Sequence, residues 1–172
     1  VDFIDELRVL GGDPFMNKEL NKIINKLVTY KNVGRIVVYT NARFIPKNQN
    51  LDYLKQPRVI LDITDYGEAS AAAGKYVEFA KKEGIAYSIN SCNTWQDCGR
   101  IIPNNKKTEK ELEHQFNNCC NSDLVSLLHG KLYRCPFSAN AVNIKAIPDV
   151  KDDFVDLLDK SLSIDELRDK IK

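Results

Sequence analysis

Two groups of residues in this chain have types and spacing that could do chemistry. The first is a set of five thiols, Cys92, Cys98, Cys119, Cys120 and Cys135, all in the second half. Thiolates are soft ligands that select zinc or iron–sulfur clusters. An odd number argues against a closed disulfide framework, and clustered cysteines in a reducing compartment more often serve metal or redox work. Cys135 stands in the individual run Gly130-Lys131-Leu132-Tyr133-Arg134-Cys135-Pro136, Cys119 and Cys120 at the end of an expected helix, and Cys98 in the loop before it. Adjacent Cys119 and Cys120 cannot easily both reach one cluster, so one of them is a candidate bystander. Free cysteine is also an ordinary buried residue, the plain reading of Cys92. His114 and His129 are the other candidate ligands, set against the usual surface role of a lone helical histidine.

The second group is the turn Gly11-Gly12-Asp13-Pro14. It follows Leu7-Arg8-Val9-Leu10, whose apolar residues suit a strand largely covered on both faces. Paired glycines free the backbone where side chains would clash, and Asp13-Pro14 stops the strand. Asn17 is placed to cap the next helix. Such a turn is either a plain βα loop or the backbone edge of a ligand site.

The elements that position these groups follow from periodicity. Residues 18–30 carry an apolar stripe of Leu20, Ile23, Ile24, Leu27 and Val28, as a helix does. Residues 35–40 and 58–64 are β-branched runs read as strands. A polar, proline-containing loop joins them, with a helical turn at 51–54. Residues 68–83 form a helix with small inward residues, closed by Gly84, and 85–89 is a fourth strand. Alternation at this spacing implies right-handed crossovers and a parallel sheet. The second half is expected to be turn-rich over 92–107, helical over 109–118 and 123–128, and extended over 131–135 and 142–147. Two helices, 152–159 and 164–171, end it, the last opened by a Ser163/Glu166 capping box. The expected organisation is an α/β domain over 1–90 and an extension over 91–172.

In a parallel sheet, functional groups gather beyond the C-terminal strand ends. Those positions hold Gly11, Gly12 and Asp13, then Thr40 and Asn41, then Thr64 and Asp65, then Asn90, Ser91 and Cys92. Together they favour a shared ligand site.

Composition narrows the partners. The chain has 172 residues, 43% hydrophobic and 28% charged, with a formal net charge of +1. That is ordinary for a globular domain and gives no argument for nucleic acid. No apolar run approaches the roughly 18 residues of a membrane helix, and the start has no signal-peptide pattern, so a cytoplasmic location is the default expectation. The chain starts at Val1 and enters a strand almost at once, as an internal or C-terminal piece of a longer protein would.

Leu10-Gly11-Gly12-Asp13-Pro14-Phe15 before a helix, followed by a strand ending in Thr40-Asn41, resembles the core of the radical S-adenosylmethionine (radical SAM) superfamily. The resemblance implies that Gly11, Gly12 and Asp13 line the methionyl amino end of the cofactor, with Asp13 where many members carry Glu. It also implies that Thr64 matches a region contacting the cofactor ribose. Residues 1–89 would then be later strands of an incomplete, partial (β/α) barrel, a partial TIM barrel. Trp95, Gly99, the cysteines and the Gly130–Pro136 run are similar to C-terminal cysteine-bearing extensions of the SPASM/twitch type. There, cysteines hold an auxiliary [4Fe-4S] cluster, and the candidates carried over are Cys135 first, then Cys119 and Cys120, then Cys98. The CxxxCxxC motif of the cofactor-cleaving cluster does not occur in these residues. Either that loop lies upstream of Val1 or the chain is a relative without radical chemistry, and the 172 residues alone are expected not to cleave the cofactor.

The leading expectation is therefore a fragment of a radical SAM enzyme of unknown substrate. Its parent would take electrons from a reductant such as flavodoxin or ferredoxin, form a 5′-deoxyadenosyl radical and abstract hydrogen. The alternatives are a non-catalytic zinc or iron–sulfur binding domain, which needs the cysteines but not the glycine turn, and a plain α/β domain with incidental thiols.

Overall fold

The computed structural model describes residues 2–43, 45, 50–92 and 106–171. Expectations for Trp95, Cys98, Gly99, Arg100 and Pro103 lie outside the described residues. The chain divides into two compact units, Val1–Asp97 and Cys98–Lys172.

The first unit contains β1 (Ile4–Val9), α1 (Leu20–Leu27), β2 (Val33–Thr40), β3 (Val59–Asp65), α2 (Ala73–Glu83) and β4 (Tyr87–Ser91). Short 3₁₀ turns at Pro14–Met16, Asp52–Lys55 and Gly67–Ser70 punctuate the connections. All neighbouring strands pair parallel, in the order β1-β2-β3-β4. The spatial order follows the chain without reversal, so this sheet has no switch point of the doubly wound kind. Among the described residues it is an open four-stranded sheet and not a closed barrel.

Strand alternation separates two faces. Ile36 and Val38 of β2 and Leu61 and Ile63 of β3 join Leu20 and Ile24 of α1, Leu54, and Tyr76 and Ala80 of α2 in one buried core. Both helices thus cover the same face. The opposite face carries Glu6 and Arg8 of β1, Arg35, Val37 and Tyr39 of β2, Ile60, Asp62 and Thr64 of β3, and Ser88 and Asn90 of β4. The strand at Leu7–Leu10 is consequently not covered on both sides: Arg8 and Leu10 are exposed.

Two local devices hold this unit in register. A Cβ on Gly34 would lie 2.5 Å from the carbonyl oxygen of Asp5, so only glycine permits the approach of β1 to β2 there. Arg58, just before β3, has φ of 71°. Its guanidinium donates to the carbonyls of Val28 (2.7 Å), Tyr30 (3.2 Å) and Val33, tying the start of β3 to the end of α1 and the start of β2.

The second unit contains α3 (Glu109–Asn117), β5 (Ser126–Leu128), β6 (Lys131–Tyr133), α4 (Pro136–Asn143), β7 (Phe154–Asp156) and α5 (Ile164–Ile171). It is not a purely helical extension, because β5, β6 and β7 form an antiparallel sheet in that order. The segments expected to be helices at 123–128 and 152–159 supply its outer strands. Short apolar runs read equally well as either element, and here the turn decides. His129 (φ 51°) and Gly130 (φ 79°) are both left-handed between the paired residues Leu128 and Lys131, the signature of a two-residue type I′ hairpin. Lys131 Nζ then lies 3.9 Å over the Phe154 ring, whose centroid is 5.5 Å from that of Tyr133. Residues 142–147 are not extended, since α4 runs through Asn143. The capping box predicted at Ser163 and Glu166 forms at the start of α5, and a second, Thr108 with Glu111, opens α3. Among the described residues of this unit, only Tyr133, Ala139 and Ala141 are buried apolar residues. No helix among the described residues is long and apolar enough to cross a membrane.

Gly34→Ala should destabilise the first unit by about 1–3 kcal/mol, as overpacking does, because the obstacle is backbone rather than a movable side chain. Urea unfolding of wild type and variant, followed by circular dichroism, measures it.

Candidate functional site

The turn after β1 is fixed by one carboxylate. Asp13 is only 8% exposed. Its Oδ1 accepts from the Phe15 amide at 3.0 Å and caps the Pro14–Met16 turn, while Oδ2 accepts from the Thr40 hydroxyl at 2.8 Å. Thr40 Oγ1 in turn accepts from the Ala42 amide at 3.0 Å. Tyr76 closes the set. Its hydroxyl is hydrogen-bonded to Thr40, its ring centroid lies 5.5 Å from that of Phe15, and its pKa is raised first by burial and then by the Asp13 charge. Asp13 and Thr40 therefore meet, but across the core side of the strand ends, each engaged by the chain itself.

Gly11 and Gly12 behave differently. Both are exposed, neither has a positive φ, and a Cβ on either would meet no atom within 4 Å. The clash and the unusual backbone that would require glycine within this fold are absent at these two positions. Asn41, beside them at the end of β2, uses Oδ1 to accept from the Arg43 amide at 3.1 Å.

The remaining strand ends are tied by Ser70, which sequence reasoning did not single out. Buried, it donates to the carbonyls of Asn41 (2.6 Å) and Thr64 (3.2 Å) and accepts from the Tyr66 amide (2.9 Å). The ends of β2 and β3 are thereby held to one hydroxyl. Asp65 Oδ1 accepts from the Gly67 amide at 2.9 Å, and the Asp65 carbonyl accepts from the Cys92 amide at 2.9 Å. Only the parity of Ser70 within a small-residue helix start could have marked it.

On the face away from the helices the strands carry a polar network. Glu6 takes Arg8 Nε at 2.6 Å and Arg35 Nη2 at 3.2 Å. That hydrogen bond to Glu6 is the main reason the Arg8 pKa is raised. Arg8 also lies 5.8 Å over the Tyr39 ring. Burial raises the Tyr39 pKa, with the Arg8 charge opposing. Asp62, 8% exposed, accepts through Oδ2 from Ser88 Oγ (2.7 Å) and Asn90 Nδ2 (3.1 Å). Thr64 shares this face, whereas Thr40 does not, so the two threonines named from the sequence point to opposite sides. Alternation along 59–64, apolar at odd and partly polar at even positions, was the signal for Asp62.

The thiols lie in the second unit, apart from Cys92, which is half-buried after β4. Cys135 is half-buried and forms the N-cap position of α4, where it makes no side-chain cap hydrogen bond. Cys119 and Cys120 are exposed beyond α3, and Cys119 Sγ accepts from the Asn121 amide at 3.4 Å. Among the described residues no group of three or more His, Cys, Asp or Glu is arranged to hold a metal ion. Cys98 lies outside those residues. His129 Nε2 is 3.1 Å from Asn143 Oδ1, and His114 is on α3. No protein-family model matches the chain.

The Asp13–Thr40 contact has a sharp test. Thr40→Val keeps the shape but leaves a buried carboxylate oxygen and the Ala42 amide without their partner, and should cost about 1–3 kcal/mol, whereas Thr40→Ser should cost markedly less. Denaturant midpoints of the two variants compared with wild type decide it.

Proposed function

We propose that the chain is part of a radical SAM enzyme, binding S-adenosylmethionine at the edge formed by Gly11 and Gly12 and an auxiliary iron–sulfur cluster in its second unit. The observation that carries this is the glycine pair itself. Glycine costs backbone entropy on folding, and nothing within the fold requires it at these exposed, open positions. A ligand drawn close to the backbone is a reason from outside the fold. The Asp13–Thr40 contact supports the same assignment by making the loop rigid before a ligand arrives, which lowers the ordering cost of binding.

In this reading Asp13 positions the loop, and the exposed backbone of Gly11 and Gly12 receives the amino-acid end of the cofactor. Asn41 and Thr64 border the same strand edge. A bound S-adenosylmethionine, when reduced by an iron–sulfur cluster, supplies hydrogen-abstraction chemistry. The three-cysteine motif for that reducing cluster does not occur in these 172 residues, so no cleavage is proposed for them alone.

For the second unit the donor chemistry fits a thiolate-bound metal. Cys135 at a helix N-terminus is the first ligand, with Cys119, Cys120 and Cys98 as the remaining candidates. The small buried apolar set of this unit supports a metal as a source of folding energy. That observation serves zinc equally, and a zinc-binding module without cofactor binding is the second reading.

Two measurements separate these outcomes. Calorimetric titration with S-adenosylmethionine should show binding that Gly12→Val weakens about tenfold or more while leaving the unfolding midpoint within about 0.5 kcal/mol of wild type. Equal binding by Gly12→Val, or none by wild type, refutes the cofactor assignment. Anaerobic reconstitution with iron and sulfide should give a brown protein with broad visible absorbance, lost in Cys135→Ala. Tightly held zinc, no iron and no cofactor binding would establish the second reading instead.

A further inference from the structure

The face of the parallel sheet away from its helices holds a set of polar groups of which only Thr64 also borders the proposed cofactor edge. Tyr39, Asp62 and Ser88 are register partners on β2, β3 and β4, and Thr64 and Asn90 are partners in the next row toward the strand ends. Side chains so related stand about 5 Å apart on one face. Val37 and Ile60, partners in the row below, give this set an apolar floor.

The hydrogen bonds within the set are incomplete in a specific way. Ser88 and Asn90 both donate to Oδ2 of Asp62, which fixes the carboxylate. Its Oδ1, the Tyr39 hydroxyl and the Thr64 hydroxyl have no hydrogen-bond partner among the described residues. A role confined to tying β3 to β4 accounts for one carboxylate oxygen, and the other three groups, none of them a buried unpaired atom, stay open to solvent or a ligand. Holding a nearly buried carboxylate is costly without compensation, and local rules of this kind are broken mainly where function needs it.

Charge then selects the ligand class. The cations nearest by, Arg8 and Arg35, are both taken by Glu6. With Asp62 included, two arginines face two carboxylates among the described residues, a balance that favours neither an anion nor a cation. What remains on offer among the described residues is one fixed acceptor oxygen, two hydroxyls that both donate and accept, and the amide oxygen of Asn90. We propose that this face is a binding site for a neutral, hydroxyl-rich ligand of the sugar or polyol class, with Asp62 Oδ1 as its principal acceptor and Tyr39, Thr64 and Asn90 around it. Adjacent hydroxyls of such a ligand match acceptors and donors spaced by one strand separation.

The test uses the full chain at neutral pH, with ligand-observed NMR and calorimetry against D-glucose, D-galactose and glycerol. D-Glucosamine and D-glucuronate serve as charged counterparts on the same skeleton. At least one neutral sugar should bind, no more weakly than glucosamine and more tightly than glucuronate. Asp62→Asn should reduce that affinity about tenfold or more, and Tyr39→Phe, which keeps the ring, should reduce it several-fold. Absence of binding by every neutral probe, unchanged affinity in both variants, or binding of glucosamine alone would overturn the proposal. Thermal unfolding of both variants establishes that they are folded, and Tyr39→Phe carries the test if Asp62→Asn is not. None of these readouts involves S-adenosylmethionine, so they stand or fall separately from the Gly12→Val titration.

Discussion

The first unit is organised by a sheet that its helices cover on one side only. α1, α2 and the turn at Asp52–Lys55 all contribute to the core on the face of Ile36, Val38, Leu61 and Ile63. Hydrophobic burial is thereby concentrated on one set of alternate residues, and the other set is released from the need to be apolar. That release is what permits Glu6, Arg8, Tyr39, Ser88 and Asn90 to occupy strand positions without a packing penalty, and Asp62, nearly buried, to sit there with two hydrogen bonds to one oxygen. The monotonic strand order belongs to the same constraint: with every crossover on one side, no reversal arises, and all four strands present their C-terminal ends along a single edge.

At that edge, the polar groups divide between holding the chain and remaining open. Asp13 and Thr40 satisfy one another and two backbone amides, and Tyr76 seals them from the core side. Such a set is costly to disturb, because removing one member leaves another buried and unpaired. Ser70 does comparable work between β2 and β3. The groups left over among the described residues are the backbone of Gly11 and Gly12 and, on the face away from the helices, Asp62 Oδ1 and the hydroxyls of Tyr39 and Thr64. A rigid support with unengaged groups beside it is the arrangement that preorganised binding requires. A different kind of unpaired group occurs at Tyr53, whose buried hydroxyl has no partner and whose pKa burial pushes up to about 12. Tyr53 belongs to the core packed beneath the helices.

The parallel sheet and its helices were legible because their periods are long and bounded by clear signals. The stripe from Leu20 to Val28 and the β-branched runs at 35–40 and 58–64 needed nothing beyond local pattern. Facing was harder. The strand at Leu7–Leu10 was read as covered on both sides because Leu10 continues an apolar run, yet β1 ends at Val9 and Leu10 is exposed. Asp62 went unnamed because only the residues at the strand ends were taken as candidates, and it lies inside β3. In the second unit, three-residue strands are too short for any period to show, and their identity comes from cross-strand pairing across a His129-Gly130 turn. Long-range pairing of this kind is not written in the local sequence. Capping boxes, which are local, were legible at Ser163 and Glu166.

The two units also differ in what can hold them together. The first buries a contiguous apolar core fed by every strand. The second has three buried apolar residues among those described, while Leu112, Phe116, Leu127, Phe137 and Leu158 are exposed. Short hairpins with little buried area are marginal unless something else contributes folding energy. Within the proposed function, a metal held by Cys135 and other thiols would be that contribution, and it would act where α4 meets β6. The same binding would then serve structure and chemistry together, since ligands that supply folding energy are also fixed in place for electron transfer or substrate binding. It follows that the thiols of the second unit and the glycines of the first answer different physical needs. The glycines are unexplained by internal packing because packing there is already satisfied, whereas the thiols stand where packing is sparse.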